Sequence, residues 1–539
     1  MAGPALPPHV QALLSPEAYP HPVDEVELRQ THISYVFLVG DVVYKLKKPL
    51  DLGFLDYTTL ERRQHFCQEE VRLNRRLCDE TYLDAVPIVQ VDGRVKVEAP
   101  GEVIDYAVKM RRLPEERMMN RLLEHDAVTS DMLAVLARRL ADFHASSERS
   151  DEIDRYGGLE TAMMNWRENF EQTEPYIGRT IHRRQFQDIQ AFVEATAEND
   201  RSVFDARVRE GRARDCHGDL RADAVCFQDD GVCIFDCIEF NERFRYSDVA
   251  ADIAFLAMDL EYRGRRDLSD ELMGRYLGAT LDFTLPLLLP FYKCYRAYVR
   301  GKVDGFQLDQ PEVNEVQQAQ AADAARRYFA LAHAYATEMT SRTLIITVGV
   351  SGSGKSYLAN ALAARLGAIL LSSDVTRKRL LGIDPTERHI EPIDSGIYSP
   401  EVTEQAYQKL LNDARPWLKR GKPVVVDATY LQRAQRQQAV SLAYETDGRF
   451  LALECEADEA LIWERLSERR GEERVVSDGR WEVYRAQQER REPVDELPVG
   501  SHMVVETARP LREQIESVLA HLGPSQIAIE EPPEEAPEG

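Results

Sequence analysis

The stretch Gly349–Ser356, GVSGSGKS, combines residue types and a spacing suited to holding a chain of phosphates. It fits G-x-x-x-x-G-K-[ST], with a short apolar strand pattern, TLIITV from Thr343, before it and a helical pattern, SYLANALAARLG, after it. Gly349, Gly352 and Gly354 let the backbone turn tightly, so that successive N–H groups face one anion. A helix starting near Lys355 adds about half a unit of positive charge at its first turn. Lys355 is expected to reach the β- and γ-phosphates, and the Ser356 hydroxyl to complete a magnesium shell. ATP and Mg2+ are therefore the expected cofactors, and Ser351, Ser353 and Tyr357 belong to the same nucleotide-contacting stretch.

A phosphate cradle alone does not separate a kinase from a nucleotide-driven switch or motor. The next strand pattern, AILLSSD, ends at Asp374, and parallel sheets place their ligands at that carboxyl edge. A carboxylate there can accept a hydroxyl proton while Arg377, three residues on, holds a neighbouring anionic group. Asp374 also suits a helix N-cap, and the two roles are compatible. VVVDATY offers Asp427 in the place of a carboxylate that supports magnesium, although a turn Asp would read the same way. Arg433 and Arg436, in the helical pattern just beyond, can face the same edge. Arg465 and Arg469 are one helical turn apart in a dense arginine run, where they can close over the transferring phosphate. A solvated charged helix is the commoner meaning of such a run.

A second constellation lies in the first half. CHGDLRADAVCF, residues 216–227, carries Asp219 in the place of a kinase catalytic carboxylate, but the fifth position after it, which should be a metal-holding Asn, is Ala224. Lys45, in the strand pattern VVYKLKK, is placed to pair nucleotide phosphates, with Glu69 or Glu70 of the next helix to hold it. Asp236, after the buried strand pattern of CIFDC, stands where a metal-binding Asp belongs. Asp223 and Glu239 are the nearest substitutes for the missing Asn, and neither has the standard spacing. No G-x-G-x-x-G loop precedes Lys45.

These residues need elements to position them. Residues 26–48 alternate like two strands about a Gly40-Asp41 turn, a helix follows through ERRQHFCQEEVRLNRRLC, and another strand begins at Ile104. Helical periods dominate from about Ala127, give way to strand and loop over 212–240, and then run on to about Thr340. From Thr343 strands and helices alternate, the sign of a parallel α/β sheet. The expected fold is an α+β protein-kinase-like domain followed by an α/β P-loop domain with a mainly parallel sheet. The expected organisation is an extension over 1–24, the kinase-like domain over 25–330, a helical linker end over 331–342, the P-loop domain over 343–525 and an acidic tail over 526–539, rich in Glu and Pro and expected to be disordered.

The second-half residues together resemble the P-loop kinases that phosphorylate hydroxyls, the group of polynucleotide kinase, zeta toxin and gluconate/shikimate kinase, and most closely a small AAA-like ATP-binding family. The resemblance covers roughly 343–495. It implies Asp374 as general base, Arg377 and Arg433 on the substrate, and Arg465 and Arg469 on the charge of the transition state. The first half, about 25–330, resembles the aminoglycoside phosphotransferase and choline kinase superfamily, whose loop reads H-G-D-x-x-x-x-N. THISYVFLVGDVVYKLKKP, EEVRLNRRL and FDCIEFNERFRYSDVAADIAFLAMDL are similar to a bacterial family that fuses this fold to a P-loop domain.

The bulk numbers agree with a multidomain globular chain: 539 residues, 44% of them apolar and 29% charged. A formal charge of −25 argues against long nucleic acid held by a general positive field, though not against a short phosphorylated end held by a few arginines. The start, MAGPALPPHVQALL, lacks a leader pattern and no stretch has the apolar length of a membrane span, so a cytoplasmic protein is expected. The eight cysteines show no C-x-x-C pair and read as buried thiols. The expected function is transfer of the γ-phosphoryl group of ATP to a hydroxyl of an unidentified substrate, with the first half a second or degenerate phosphotransferase. A nucleotide-gated regulatory ATPase and a nucleic-acid end kinase are the alternatives. Neither the acceptor nor the oligomeric state is legible.

Overall fold

The computed structural model describes residues 6–229, 231–310, 313–338, 341–387, 395–468 and 480–523. The acidic tail of the sequence reading and Arg469 lie outside the described residues. The chain forms two compact units that interleave along the sequence. One takes in Met1–Arg183, Val193–Arg265 and Tyr295–Phe329, and the other Arg184–Phe192, Arg266–Cys294 and Ala330–Gly539.

The first unit carries a six-stranded antiparallel sheet of β1 (Val26–Gln30), β2 (Ser34–Val39), β3 (Val42–Lys47), β4 (Tyr82–Val91), β5 (Arg94–Val97) and β6 (Glu102–Arg111), in the order β1-β2-β3-β6-β4-β5. The first of the two strands expected over 26–48 is in fact two. It breaks at Thr31–Ile33, where the Thr31 hydroxyl accepts the N–H groups of Ile33 and Ser34 and competes with the ladder. Strand alternation sends Phe37, Val39, Tyr44 and Leu46 into one core with Ile88 and Ala107. By the same period Lys45 and Lys47 share the opposite face, where helix α1 (Leu60–Asn74) lies between β3 and β4 in sequence, capped by Thr59. A hairpin of β7 (Val225–Gln228) and β8 (Gly231–Ile234) follows the 216–224 loop, and α2 (Val249–Tyr262) is buried along nearly its whole length.

One expectation is corrected here. Cys78, just past α1, and Cys233 on β8 are joined as a disulfide, with Cα atoms 4.7 Å apart, and the other six cysteines are free and buried. The two are separated by 155 residues, so only the folded sheet and helix bring them together and no local spacing announces them.

In the second unit, α3 (Arg266–Thr280) precedes a five-stranded parallel sheet. Its strands are β9 (Thr343–Val348), β10 (Ile369–Ser372), β11 (Val424–Asp427), β12 (Arg449–Glu456) and β13 (His502–Glu506), in the order β10-β11-β9-β12-β13. The intervening helices are α4 (Lys355–Leu366), α5 (Ser373–Leu380), α6 (Pro400–Lys419), α7 (Arg433–Glu445), α8 (Glu459–Glu468) and α9 (Trp481–Arg490), and α10 (Leu511–Leu522) closes the unit. Ile345, Leu358, Leu362, Val425, Leu451 and Leu453 form the core under the sheet. Helix α3 packs closely on α4 through Gly274, where an added Cβ would lie 3.0 Å from that of Ala361. No helix among the described residues is long and apolar enough to cross a membrane.

Candidate active site

Strand β9 runs straight into Gly349 at the carboxyl edge of the sheet, and α4 begins six residues later. Gly349, Gly352 and Gly354 adopt φ of +143°, +84° and +86°, a region that side chains disfavour. Space makes the same demand. A Cβ would lie 2.8 Å from the Cys455 carbonyl oxygen at Gly349, 2.9 Å from Ile462 Cγ2 at Gly352, and 2.9 Å from Thr507 at Gly354. The loop is thus wrapped by β12, α8 and the segment after β13. Lys355 is buried, and its Nζ donates to the Val350 carbonyl at 2.6 Å. The Ser353 hydroxyl is buried with no hydrogen-bond partner among the described residues. Arg465 donates to the Gly352 carbonyl at 3.4 Å and to Thr507 Oγ1 and O at 2.9 and 2.7 Å, so it braces the loop.

Parallel pairing sets the carboxylates beside this loop. Ser372 is in register with Asp427 across β10 and β11, and Ile346 with Val426 across β9 and β11. Asp427 therefore ends its strand at the edge where Gly349 leaves β9 and where Asp374 enters α5. The cap position of α5 is Ser372, so Asp374 is free of the capping role; it accepts from Arg377 Nη1 at 2.9 Å. Arg377 is buried, lies 5.0 Å over the Tyr398 ring, and has a buried Nε with no partner among the described residues. The Tyr407 phenol, pushed up by burial, also lies within the electrostatic reach of Arg377 and Asp374. It bonds Thr429 Oγ1 at 3.0 Å and accepts the N–H of Tyr430, a residue at φ +42°. Arg433 is tied to Asp495 and lies 3.7 Å from Glu496, and the fully buried Arg436 donates to Glu496 at 2.6 and 2.9 Å. Their charges are met within the chain.

These residues fit a magnesium-bound nucleotide. The exposed Ser356 hydroxyl in the first turn of α4 and the half-buried Asp427 carboxylate are hard oxygen donors, and the glycines keep the loop open to phosphate oxygens.

The first unit builds a second polar site. Lys45 Nζ donates to Glu70 at 2.8 Å and to Asp236 at 2.6 Å, while Lys47 pairs with Glu70 at 2.7 Å and with Glu239. Tyr57 donates to Glu239 at 2.7 Å. Burial pushes the Lys45 ammonium down, and the charges of Asp236 and Glu70 more than reverse this, holding it well above its usual range. The buried Glu70 is pushed up by desolvation, and Lys45 and Lys47 bring it below its ordinary value. Asp236, at φ +63°, is lowered chiefly by Lys45. Glu69 faces away and pairs with Arg72 at 2.7 Å.

The 216–224 loop is rigidly held. Asp252 of α2 accepts the N–H groups of His217 and Gly218 at 3.0 and 2.9 Å, and Asp259 accepts that of Ala222 at 3.0 Å. Asp219 is bound by Arg221 at 3.1 Å, and the same guanidinium holds Asp223 at 2.9 Å. The usual loop ligand for a metal is replaced. Ala224 is buried and offers no oxygen; of the nearest substitute, Asp223, Oδ2 is held by Arg221, while Oδ1 is buried with no hydrogen-bond partner among the described residues.

Comparison with known proteins follows the same division. Residues 59–291 match the phosphotransferase enzyme family and residues 344–494 match an AAA domain. Uncharacterized protein Rv2004c of Mycobacterium tuberculosis (strain ATCC 25618 / H37Rv) is 32% identical over 456 residues, covering 84% of this chain and 88% of its own. Uncharacterized protein Mb2027c of Mycobacterium bovis matches to the same extent. The chain belongs to the family of these mycobacterial proteins. Among solved structures, a gluconokinase from Sinorhizobium meliloti 1021 is 24% identical with a TM-score of 0.24, over 34% of this chain and 93% of its own. The GDP complex of aminoglycoside 2'-phosphotransferase-IIIa is 14% identical with a TM-score of 0.35, over 57% and 93%. This family member joins a protein-kinase-like domain that matches the phosphotransferase enzyme family to a P-loop domain that matches an AAA domain, and the two together support a phosphotransferase. Such domains use ATP, normally with Mg2+.

Several polar residues of this member escaped the sequence reading. Lys47 was not singled out, yet it is buried between Glu70 and Glu239; its place two residues after Lys45 on one strand face was the available signal. Arg221 gave no signal beyond lying between two aspartates. Gln487, which accepts the Ser351 N–H at 2.7 Å, lies 136 residues away and gave none.

Proposed function

We propose that this chain is an ATP-dependent phosphotransferase whose chemistry runs in the P-loop unit, moving the γ-phosphoryl group to a hydroxyl of a small acceptor. The observation that supports this best is that Asp427 is in register with Ser372 at the end of β10 beside the glycine cradle, and Asp374 follows two residues on in the first turn of α5, next to an Arg377 whose Nε has no partner among the described residues. Ser351–Ser356 bind the polyphosphate through backbone N–H groups and Lys355. Magnesium, when bound by Ser356 and Asp427, neutralises phosphate charge. Asp374 takes the acceptor's proton as its oxygen bonds to the γ-phosphorus and the bond to the ADP oxygen breaks. Arg377 orients the acceptor through an anionic or carbonyl oxygen, and Arg465 keeps the loop in place. The setting is cytoplasmic, where ATP is at hand.

The test is label transfer from γ-labelled ATP to a panel of hydroxyl compounds, with the full chain and with Lys355→Ala. Transfer to at least one acceptor well above transfer to water, and its loss together with nucleotide binding in Lys355→Ala, is the expected result. A panel in which water always wins would sink the reading.

In the first unit the Lys45, Glu70 and Asp236 cluster retains the kinase arrangement, while Ala224 replaces the loop's metal-holding Asn, which favours a unit that presents or selects a ligand. In a Lys355→Ala background, Asp219→Ala should change residual ATP consumption by less than about twofold. A larger, Mg2+-dependent fall would make the unit a working second kinase.

A further inference from the structure

One N–H of the phosphate loop goes to a side chain on another element. Ser353 N–H closes the turn on the Val350 carbonyl, but Ser351 N–H donates outward to Gln487 Oε1 at 2.7 Å. Gln487 belongs to α9, a helix that also packs on the preceding loop residue: Tyr484 and Trp481 join Val350, Ile462 and Leu466 in one apolar cluster. Trp481 lies 4.9 Å from Trp463 and 4.7 Å from Tyr484, ring centre to ring centre. Consecutive loop residues, Val350 and Ser351, are thus held by the same helix, one by packing and one by a hydrogen bond.

We propose that Gln487 is a positioning residue of the cradle, whose amide oxygen competes with the phosphate oxygens of the nucleotide for the Ser351 N–H. This rests on the reading of Gly349–Ser356 as the nucleotide site. A single N–H cannot serve both acceptors at full strength. A phosphate oxygen is anionic, and bonds to it are roughly twice as strong as bonds to a neutral amide. The other loop amides and Lys355 hold the phosphate at the same time. The nucleotide therefore takes the N–H, Gln487 lets go, and the surroundings of Trp481 change. Phosphate occupancy of the loop is passed to α9 through this one side chain.

Competition predicts a sign that a merely structural role does not. Removing the amide in Gln487→Ala should tighten binding of ADP and of a non-hydrolysable ATP analogue by about three- to tenfold, the worth of one ordinary hydrogen bond. Gln487→Glu keeps an acceptor oxygen but adds a negative charge beside the phosphates, and should weaken binding by about tenfold or more. Affinities are measured by calorimetry on the full chain, at the site that Lys355→Ala weakens. The emission of Trp481, taken as the difference between the parent and Trp481→Phe, should shift on nucleotide addition in the parent and much less in Gln487→Ala. Unchanged or weaker binding by Gln487→Ala, or a Trp481 emission that ignores nucleotide in the parent, overturns the inference while leaving the cradle intact. Affinity indifferent to Lys355→Ala removes the cradle reading, and this inference with it.

Discussion

Asp374→Asn should lower phosphoryl transfer to the acceptor by roughly 10²–10⁴-fold, the usual worth of a positioned proton acceptor, while calorimetric binding of nucleotide stays within about threefold of the parent. The amide keeps the volume of the carboxylate and an oxygen for Arg377 Nη1, which Asp374 accepts at 2.9 Å, so the loss reports the missing base and not a collapsed pocket. Asp374→Ala should give a similar loss in rate plus a cost in stability, because it strands the buried Arg377 guanidinium, whose Nε has no partner among the described residues. Single-turnover transfer from γ-labelled ATP separates the chemical step from binding. Transfer that survives in Asp374→Asn would assign the base elsewhere.

The second large effect is on stability. Glu70→Gln should destabilise the first unit by about 3–5 kcal/mol, the usual cost of removing one partner from a buried ion pair. Glu70 is fully buried and serves Lys45 and Lys47 at once, so the amide leaves two ammonium groups short of one negative charge. Trp166, also fully buried in this unit, reports its unfolding in denaturant separately from the tryptophans of the other unit. Glu69→Gln is the control. It pairs with Arg72, whose side chain is 54% exposed, and such pairs are worth under about 1 kcal/mol. The pH dependence has a definite sign. The folded-state value of Glu70 lies below its ordinary 4.5, so its contribution is complete above about pH 4.5 and is lost as pH falls through the lower folded value. The gap between parent and Glu70→Gln should narrow on that acid side. A gap that stays constant into acid would mean that the carboxylate charge is not what holds the lysines.

Much of the fold is legible because its signals are local. The G-x-x-x-x-G-K-[ST] stretch between an apolar strand and a helix can be read without any neighbour, and so can the alternation of β2 and β3 and the strand-end place of Asp427, whereas Asp374, read at a strand end, lies two residues beyond β10 in the first turn of α5. The break at Thr31–Ile33 is not, because a hydroxyl competing for two N–H groups looks like any Thr in a strand. Choosing Glu70 over Glu69 needs the helix seated on its sheet, since both lie in the same turn and only the burial of one face separates them. The arginines show the same limit. Arg433 and Arg436 are as basic in the sequence as Arg377, yet they meet acids at 495 and 496, while Arg377 has beside Asp374 a buried donor with no partner among the described residues.

The sequence by itself determined the two kinase-like folds in their order, the phosphate cradle and the strand-end place of Asp427. It also determined the absence of a metal ligand at Ala224. Each depends on a few adjacent residues whose backbone needs or strand positions are set locally. Only the tertiary structure decided which charges pair, that Arg221 takes Asp219 and Asp223, that Cys78 meets Cys233, and that Gln487 reaches the cradle. Those outcomes depend on distances between residues far apart in the chain, which packing sets and residue spacing does not record.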